Sequence, residues 1–218
     1  MLKSFRWRFA AAVVAMAALT LGLTGCGDES KAKAPEKNYS VYKEDHLLGS
    51  PKAPVVMIEY AAPSCPHCAR FFLQILPELK KEYIDTGKVL YVLRVHPLMP
   101  ADGAIEAVAL SLPKDKYFAY IGTMYRNQPE WDPEYGVANV RDAILKQSAP
   151  FGITSEKFDK IISNSAVLDS LNRVAQDGQM RYGIKAVPTF VVNGAVKENS
   201  DWPELKAVID AALVAARK

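Results

Sequence analysis

Cys65-Pro66-His67-Cys68 sets two thiols three positions apart, a spacing at which the sulfurs can open and close a disulfide between them. Zinc ligation and a purely structural bridge are the other readings of such a pair. A structural zinc site needs four ligands, usually from two such pairs. The chain holds one further cysteine, Cys26, and only His46, His67 and His96, none at a spacing that completes a finger or knuckle, so no metal is expected. A structural bridge closing so small a loop would remove little entropy from the unfolded chain. A redox-active pair is the reading the cysteine count favours.

The elements around the pair sharpen that reading. Val55-Val56-Met57-Ile58-Glu59-Tyr60 is a nearly unbroken apolar run, the pattern of a strand buried on both faces. Ala61-Ala62-Pro63-Ser64 breaks it, and a helix is predicted over 65–84, with a kink near Pro77. Cys65 then falls at a helix N-terminus, where free N–H groups and the positive end of the dipole favour a thiolate. The thiolate is the reactive form of a cysteine. His67 can add a hydrogen bond or a positive charge from its imidazole to the Cys65 sulfur, or else stand in solvent without a role. Pro66 suits the first helical turn, where a missing N–H costs nothing. Glu59 lies six residues before Cys65 on a strand that looks apolar on both sides. It is either solvated near a strand end, or buried and functional; Arg94 on the next strand is a candidate partner.

Farther along, a strand is predicted over 88–95 and mainly helix over 102–182. Ile105, Val108, Ala109 and Leu112 share one helical face, as do Phe158, Ile161 and Ile162. Tyr117, Phe118, Tyr120 and Tyr125 read as packing, and His96-Pro97 and Pro100 as turn residues. Strand returns at Thr189-Phe190-Val191-Val192, turns at Asn193-Gly194, and pairs with Ala195-Val196-Lys197. A last helix opens at Ser200 or Asp201, with Pro203 in its first turn.

The N-terminus reads as a leader. Lys3, Arg6 and Arg8 precede an apolar stretch over 9–23, short for a membrane span but suited to a secretory signal. Leu23-Thr24-Gly25-Cys26 resembles the lipobox of bacterial lipoproteins, which implies cleavage before Cys26 and a lipid on its sulfur. An ordinary signal peptide cut near Gly25 is the alternative. The expected organisation is thus a signal at 1–25, a lipid-anchored linker at 26–44 and a folded domain at 45–216. The leader has three basic and no acidic residues, so the remaining 193 residues carry 24 Lys+Arg and 24 Asp+Glu. Without concentrated positive charge, nucleic acid is not an expected partner. An exported chain meets an oxidising setting in the bacterial periplasm, where disulfides persist. The expected place is therefore the periplasmic face of a bacterial membrane.

The strand–CxxC–helix opening, the helical block and Gly183-Ile184-Lys185-Ala186-Val187-Pro188-Thr189-Phe190 together resemble the DsbA-like branch of the thioredoxin superfamily, over about residues 45–216. The resemblance implies an α/β thioredoxin fold with a helical domain inserted at about 102–182. It implies that Cys65 is the nucleophile, Cys68 the resolving cysteine, and Val187–Pro188 a cis peptide facing them. Val187, Pro188 and Thr189 would bind an extended substrate by short strand addition. Glu59 would relay a proton to Cys68. The implied activity is disulfide donation to exported proteins with reduced cysteines, by a monomer without a cofactor, reoxidised by a quinone-linked membrane partner. A disulfide isomerase or reductase, and a non-enzymatic chaperone or adaptor using the fold for binding, are the alternatives.

Overall fold

The computed structural model describes residues 39–43, 45–198 and 201–217. The predicted signal, the linker up to residue 38 and Cys26 lie outside them. Five strands form one mixed sheet in the order β1-β3-β2-β4-β5: β1 His46–Leu48, β2 Val55–Ala61, β3 Val89–Val95, β4 Thr189–Val192 and β5 Ala195–Glu198. β2 and β3 are parallel, with Glu59 opposite Leu93 and Tyr60 opposite Arg94. β4 runs antiparallel to β2, with Phe190 opposite Glu59.

Every residue of β2 is buried, which is why it reads as a continuous apolar run rather than an alternation. Val55, Met57 and Ala61 face a core that also holds Tyr91, Leu93, Phe190, Leu205, Cys65 and Cys68. Val56, Ile58 and Tyr60 face a second core with Leu90, Val92, Tyr182 and Ile184. Each fully buried aliphatic side chain contributes about 1.5–3 kcal/mol, so this strand is the anchor of the molecule.

The helical connection after β2 runs continuously through 66–84. It is α-helical over α1 (Pro66–Arg70) and α2 (Leu76–Leu79), and widens to π-type turns over Phe71–Ile75 and Lys80–Ile84. The widening accounts for Pro77. A proline cannot donate to the carbonyl four residues back; here the preceding Leu76 N–H reaches Phe71 O, five back. The expected disturbance is thus taken up as a π-bulge rather than a break.

Between β3 and β4 the chain is helical: α3 Pro100–Ser111, α4 Tyr117–Arg126, α5 Gln128–Trp131, α6 Val140–Ser148, α7 Ser155–Ile162 and α8 Ser165–Tyr182. The predicted faces are the ones used, since Ile105, Val108, Ala109, Leu112 and Phe158 are buried. The aromatic group is packing: Tyr125 tilts against Phe72, and Phe118 against Tyr91. Pro100 opens α3 in its first turn. Gly178 on α8 is required for close approach, since a Cβ there would lie 2.5 Å from Tyr60 Cε1. The hairpin turn has Asn193 at φ 46° and Gly194 at φ 90°, the left-handed pair that suits a two-residue turn. Helix α9 (Trp202–Ala215) is capped by Asp201, which accepts from Glu204 N–H.

Two expectations are corrected. The folded body begins ahead of residue 45: Arg94 Nη2 donates to Ser40 O at 2.6 Å, its guanidinium lies 4.1 Å from the Tyr42 ring centre, and Tyr42 hydroxyl donates to Asp177. Arg94 also does not pair with Glu59. Adjacent strand positions point to opposite faces, and Arg94 sits on the Tyr60 face, bonded to Tyr60 Oη at 3.0 Å and to Asp45. Strand β1, a short edge piece, was not read from the sequence.

Candidate active site

Cys65 is the N-cap of α1, in extended conformation (φ −79°, ψ 116°), with Pro66 in the first turn. Its sulfur accepts the Cys68 N–H at 3.2 Å, and its thiol faces Val187 O at 3.5 Å. Both cysteines are free thiols; Cys65 is 5% exposed and Cys68 not at all. Cys65 is therefore the sulfur a partner would reach first.

The two thiols are driven apart in acidity. Cys65 is pulled down to about 7, chiefly by the hydrogen bond from the Cys68 thiol, against the opposing effect of burial; the backbone N–H groups of Cys68 and His67 help. Cys68 is pushed well above the thiol range by burial first, then by donating to Cys65 and by the nearby Glu59 carboxyl. Stabilising one sulfur as thiolate and the other as thiol is the division of labour a nucleophile and a resolving group need.

His67 reaches the sulfur differently from expectation. Its backbone N–H contributes, while its side chain is exposed. Within the same first turn His67 falls on the solvent face of the helix while Cys68, one position on, turns inward, so the helix presents the thiol and not the imidazole to the sulfur.

Val187–Pro188 is a cis peptide, as the resemblance implied. Val187 is half-buried and its carbonyl faces Cys65. Thr189 is fully buried, and its hydroxyl donates to Ala186 O at 2.7 Å. It braces the loop from beneath rather than lining its surface.

Glu59 is 1% exposed, on the same sheet face as both cysteines. Tyr91 hydroxyl donates to its Oε2, and its Oε1 has no partner. Burial pushes the carboxyl up to about 8 against the Tyr91 hydrogen bond, with Cys65 adding to the rise. The buried alternative is thus the one the fold adopts.

Three contributors escape the sequence reading. Tyr91 could have been found, because it shares the face of Leu93, the register partner of Glu59. Asp102 and Gln128 could not: they come from the inserted helices and grip the backbone on either side of Ser64. Among the described residues, no three His, Cys, Asp or Glu side chains come close enough to hold a metal ion.

Comparison with known proteins gives a consistent picture. A family profile described as Thioredoxin matches residues 42–211. A Rickettsia bellii protein, provisionally named a protein-disulfide oxidoreductase, is 29% identical over 189 residues, spanning 84% of this chain and 70% of that one. Disulfide bond formation protein D of Bacillus subtilis is 25% identical over 176 residues, covering 77% of each. The crystal structure of Wolbachia pipientis alpha-DsbA1 superposes with a TM-score of 0.72 at 25% identity, over 83% of this chain and 97% of that one.

Proposed function

This chain belongs to the thioredoxin family, and from that premise we propose that it is a thiol:disulfide oxidoreductase whose Cys65–Cys68 pair donates disulfides to exported proteins. The observation that carries the reading is the unequal pair: an outer thiol lowered to about 7 at a helix N-cap, an inner one held as thiol, and the Val187 carbonyl beside the first. The names of the Rickettsia and Bacillus relatives support the same class.

In the oxidised enzyme a substrate thiolate attacks Cys65 Sγ, and the Cys65–Cys68 bond breaks. Cys68 leaves as a thiolate and takes up a proton, for which the protonated Glu59 is the proposed donor. A second substrate thiolate then attacks the substrate sulfur of the mixed disulfide, and Cys65 departs as thiolate. Two electrons pass from substrate to enzyme, and the substrate keeps the disulfide. Val187 offers backbone groups to an extended substrate chain. Each cycle leaves the pair reduced, so an electron acceptor must follow; a quinone-linked membrane protein is the proposed class.

The proposed place of action is the periplasmic face of a bacterial membrane, with Cys26 as the lipidated anchor. No helix among the described residues is long and apolar enough to cross a membrane. An acyl mass on Cys26 in the membrane fraction is the expected finding; an unmodified Cys26 refutes the anchor.

The activity is tested with a reduced two-cysteine peptide and oxidised enzyme. Stoichiometric oxidation is expected, abolished by Cys65→Ser; Cys68→Ser, first loaded at Cys65 with glutathione from glutathione disulfide, is expected to exchange with a single-cysteine peptide thiolate, releasing glutathione and retaining the peptide on Cys65. Unaltered peptide oxidation by Cys65→Ser would overturn the reading. A reductase or isomerase is the second reading, favoured by a Cys65 thiol no lower than about 7. A thiolate that is only moderately stabilised makes a weaker oxidant. A potential close to that of thioredoxin, read against glutathione, would favour it.

A further inference from the structure

Helix α3 carries an inward-facing carboxylate in its first turn. Asp102 is fully buried, and four donors converge on it. Ser64 N–H meets Oδ1 at 2.7 Å; Ser64 hydroxyl, Leu98 N–H and Met99 N–H meet Oδ2 at 2.9, 2.9 and 3.1 Å. Every contact is a donor, the pattern of an ionised carboxylate; burial pushes its pKa up, and the donors from Leu98, Ser64 and Met99 pull against that rise. From α5, the amide nitrogen of Gln128 donates to Pro63 O at 2.6 Å and Cys65 O at 3.2 Å. Two buried side chains of the helical insertion thus hold the three residues Pro63, Ser64 and Cys65.

Capping α3 accounts for only two of the four donors, Leu98 N–H and Met99 N–H. The Leu98 and Met99 N–H groups could be served by a neutral acceptor, as helix caps often are. A buried charge is the costlier solution, and half of the donors spent on it belong to the residue directly before Cys65. The negative charge is placed where it opposes ionisation of the neighbouring sulfur.

We propose that Asp102 is a positioning residue for the Cys65–Cys68 pair: it fixes Ser64, and its buried charge sets how readily the pair accepts electrons. This rests on the redox reading of the two cysteines. Asp102 is among the influences that push the Cys65 thiol back up, so it restrains the oxidising strength that the N-cap position confers. The exchange concerned is oxidised enzyme plus two glutathione thiols giving reduced enzyme plus glutathione disulfide, a two-electron transfer. Whatever stabilises the Cys65 thiolate draws it toward reduced enzyme.

Two variants of the full chain separate charge from mechanics. Asp102→Asn removes the charge and is expected to shift the glutathione equilibrium at least threefold toward reduced enzyme, about 14 mV for a two-electron couple. The Cys65 pKa, read from thiolate absorbance, is expected to fall with it. Ser64→Ala removes one donor and leaves the carboxylate less neutralised, so both readings are expected to move the opposite way, by twofold or more. A purely mechanical clasp would loosen Cys65 in both variants and move them in the same direction. That outcome, or no shift in either, overturns the proposal. Should Asp102→Asn fail to fold, Ser64→Ala decides alone, since an unchanged or lowered Cys65 pKa overturns it. A wild-type protein that never equilibrates with glutathione would instead sink the redox reading, and this inference with it.

Discussion

Replacing Glu59 by Gln should make the reduced protein's stability less sensitive to pH, and the size of the effect follows from the burial of the carboxyl. The side chain is 1% exposed and has one hydrogen-bond donor, too little to solvate an anion. Its carboxyl is raised from the ordinary 4.5 to about 8. An acid whose folded value is raised binds a proton in the native state that it has lost in the unfolded one. Stability is therefore full below about 4.5 and falls as pH rises toward 8. The slope approaches 1.4 kcal/mol per pH unit, giving a ceiling of roughly 4–5 kcal/mol once Glu59 is ionised. Glutamine mimics the neutral acid, with a carbonyl for Tyr91 and an amide where Oε1 lacks a partner. Urea unfolding between pH 5 and 6, below the range where Cys65 ionises, should show wild type losing roughly 1 kcal/mol relative to Glu59→Gln. Glu106, also buried and raised to about 8, titrates in both proteins and cancels in the difference. Parallel pH curves for the two proteins would refute the assignment of a neutral Glu59.

Other outcomes are equally open to measurement. Alkylation of Cys65 in reduced protein should rise through a midpoint near about 7, with Cys68 unreactive across the same range; a single midpoint in the ordinary thiol range would contradict the unequal pair. Arg94→Met leaves Asp45 buried and unpaired, since the pair's side chains are 1% and 5% exposed, and should cost about 3–5 kcal/mol by chemical denaturation. Gly178→Ala forces a methyl against the Tyr60 ring and should cost about 1–3 kcal/mol, despite alanine's better helix propensity; a stabilised variant would disprove the close contact.

The fold was legible where the pattern was local. β2, β3, the 193–194 turn and the Asp201 cap follow from apolar runs and turn chemistry within a few residues. The Cys65–Cys68 pair was legible for the same reason. Contacts between distant segments were not: Arg94 pairs with Asp45, 49 positions away, and Gln128 reaches Pro63, 65 positions away. The β2–β3 register decides against an Arg94–Glu59 pair, because register partners Tyr60 and Arg94 share a face that Glu59 does not. His67 shows a different limit. Its place between the cysteines indicated proximity to the sulfur, yet spacing could not distinguish a backbone N–H from an imidazole.

The widened turns in the helix after Cys68 mean that counting residues along it does not give its rotation. Phe71 and Leu76 lie five apart and both reach the core, as do Leu79 and Ile84. An ideal α-helix would swing such pairs well away from one another. Anyone transplanting this segment onto a regular helical scaffold would have to delete a residue from each wide turn, or the core-facing stripe beyond Phe71 would emerge on the solvent side.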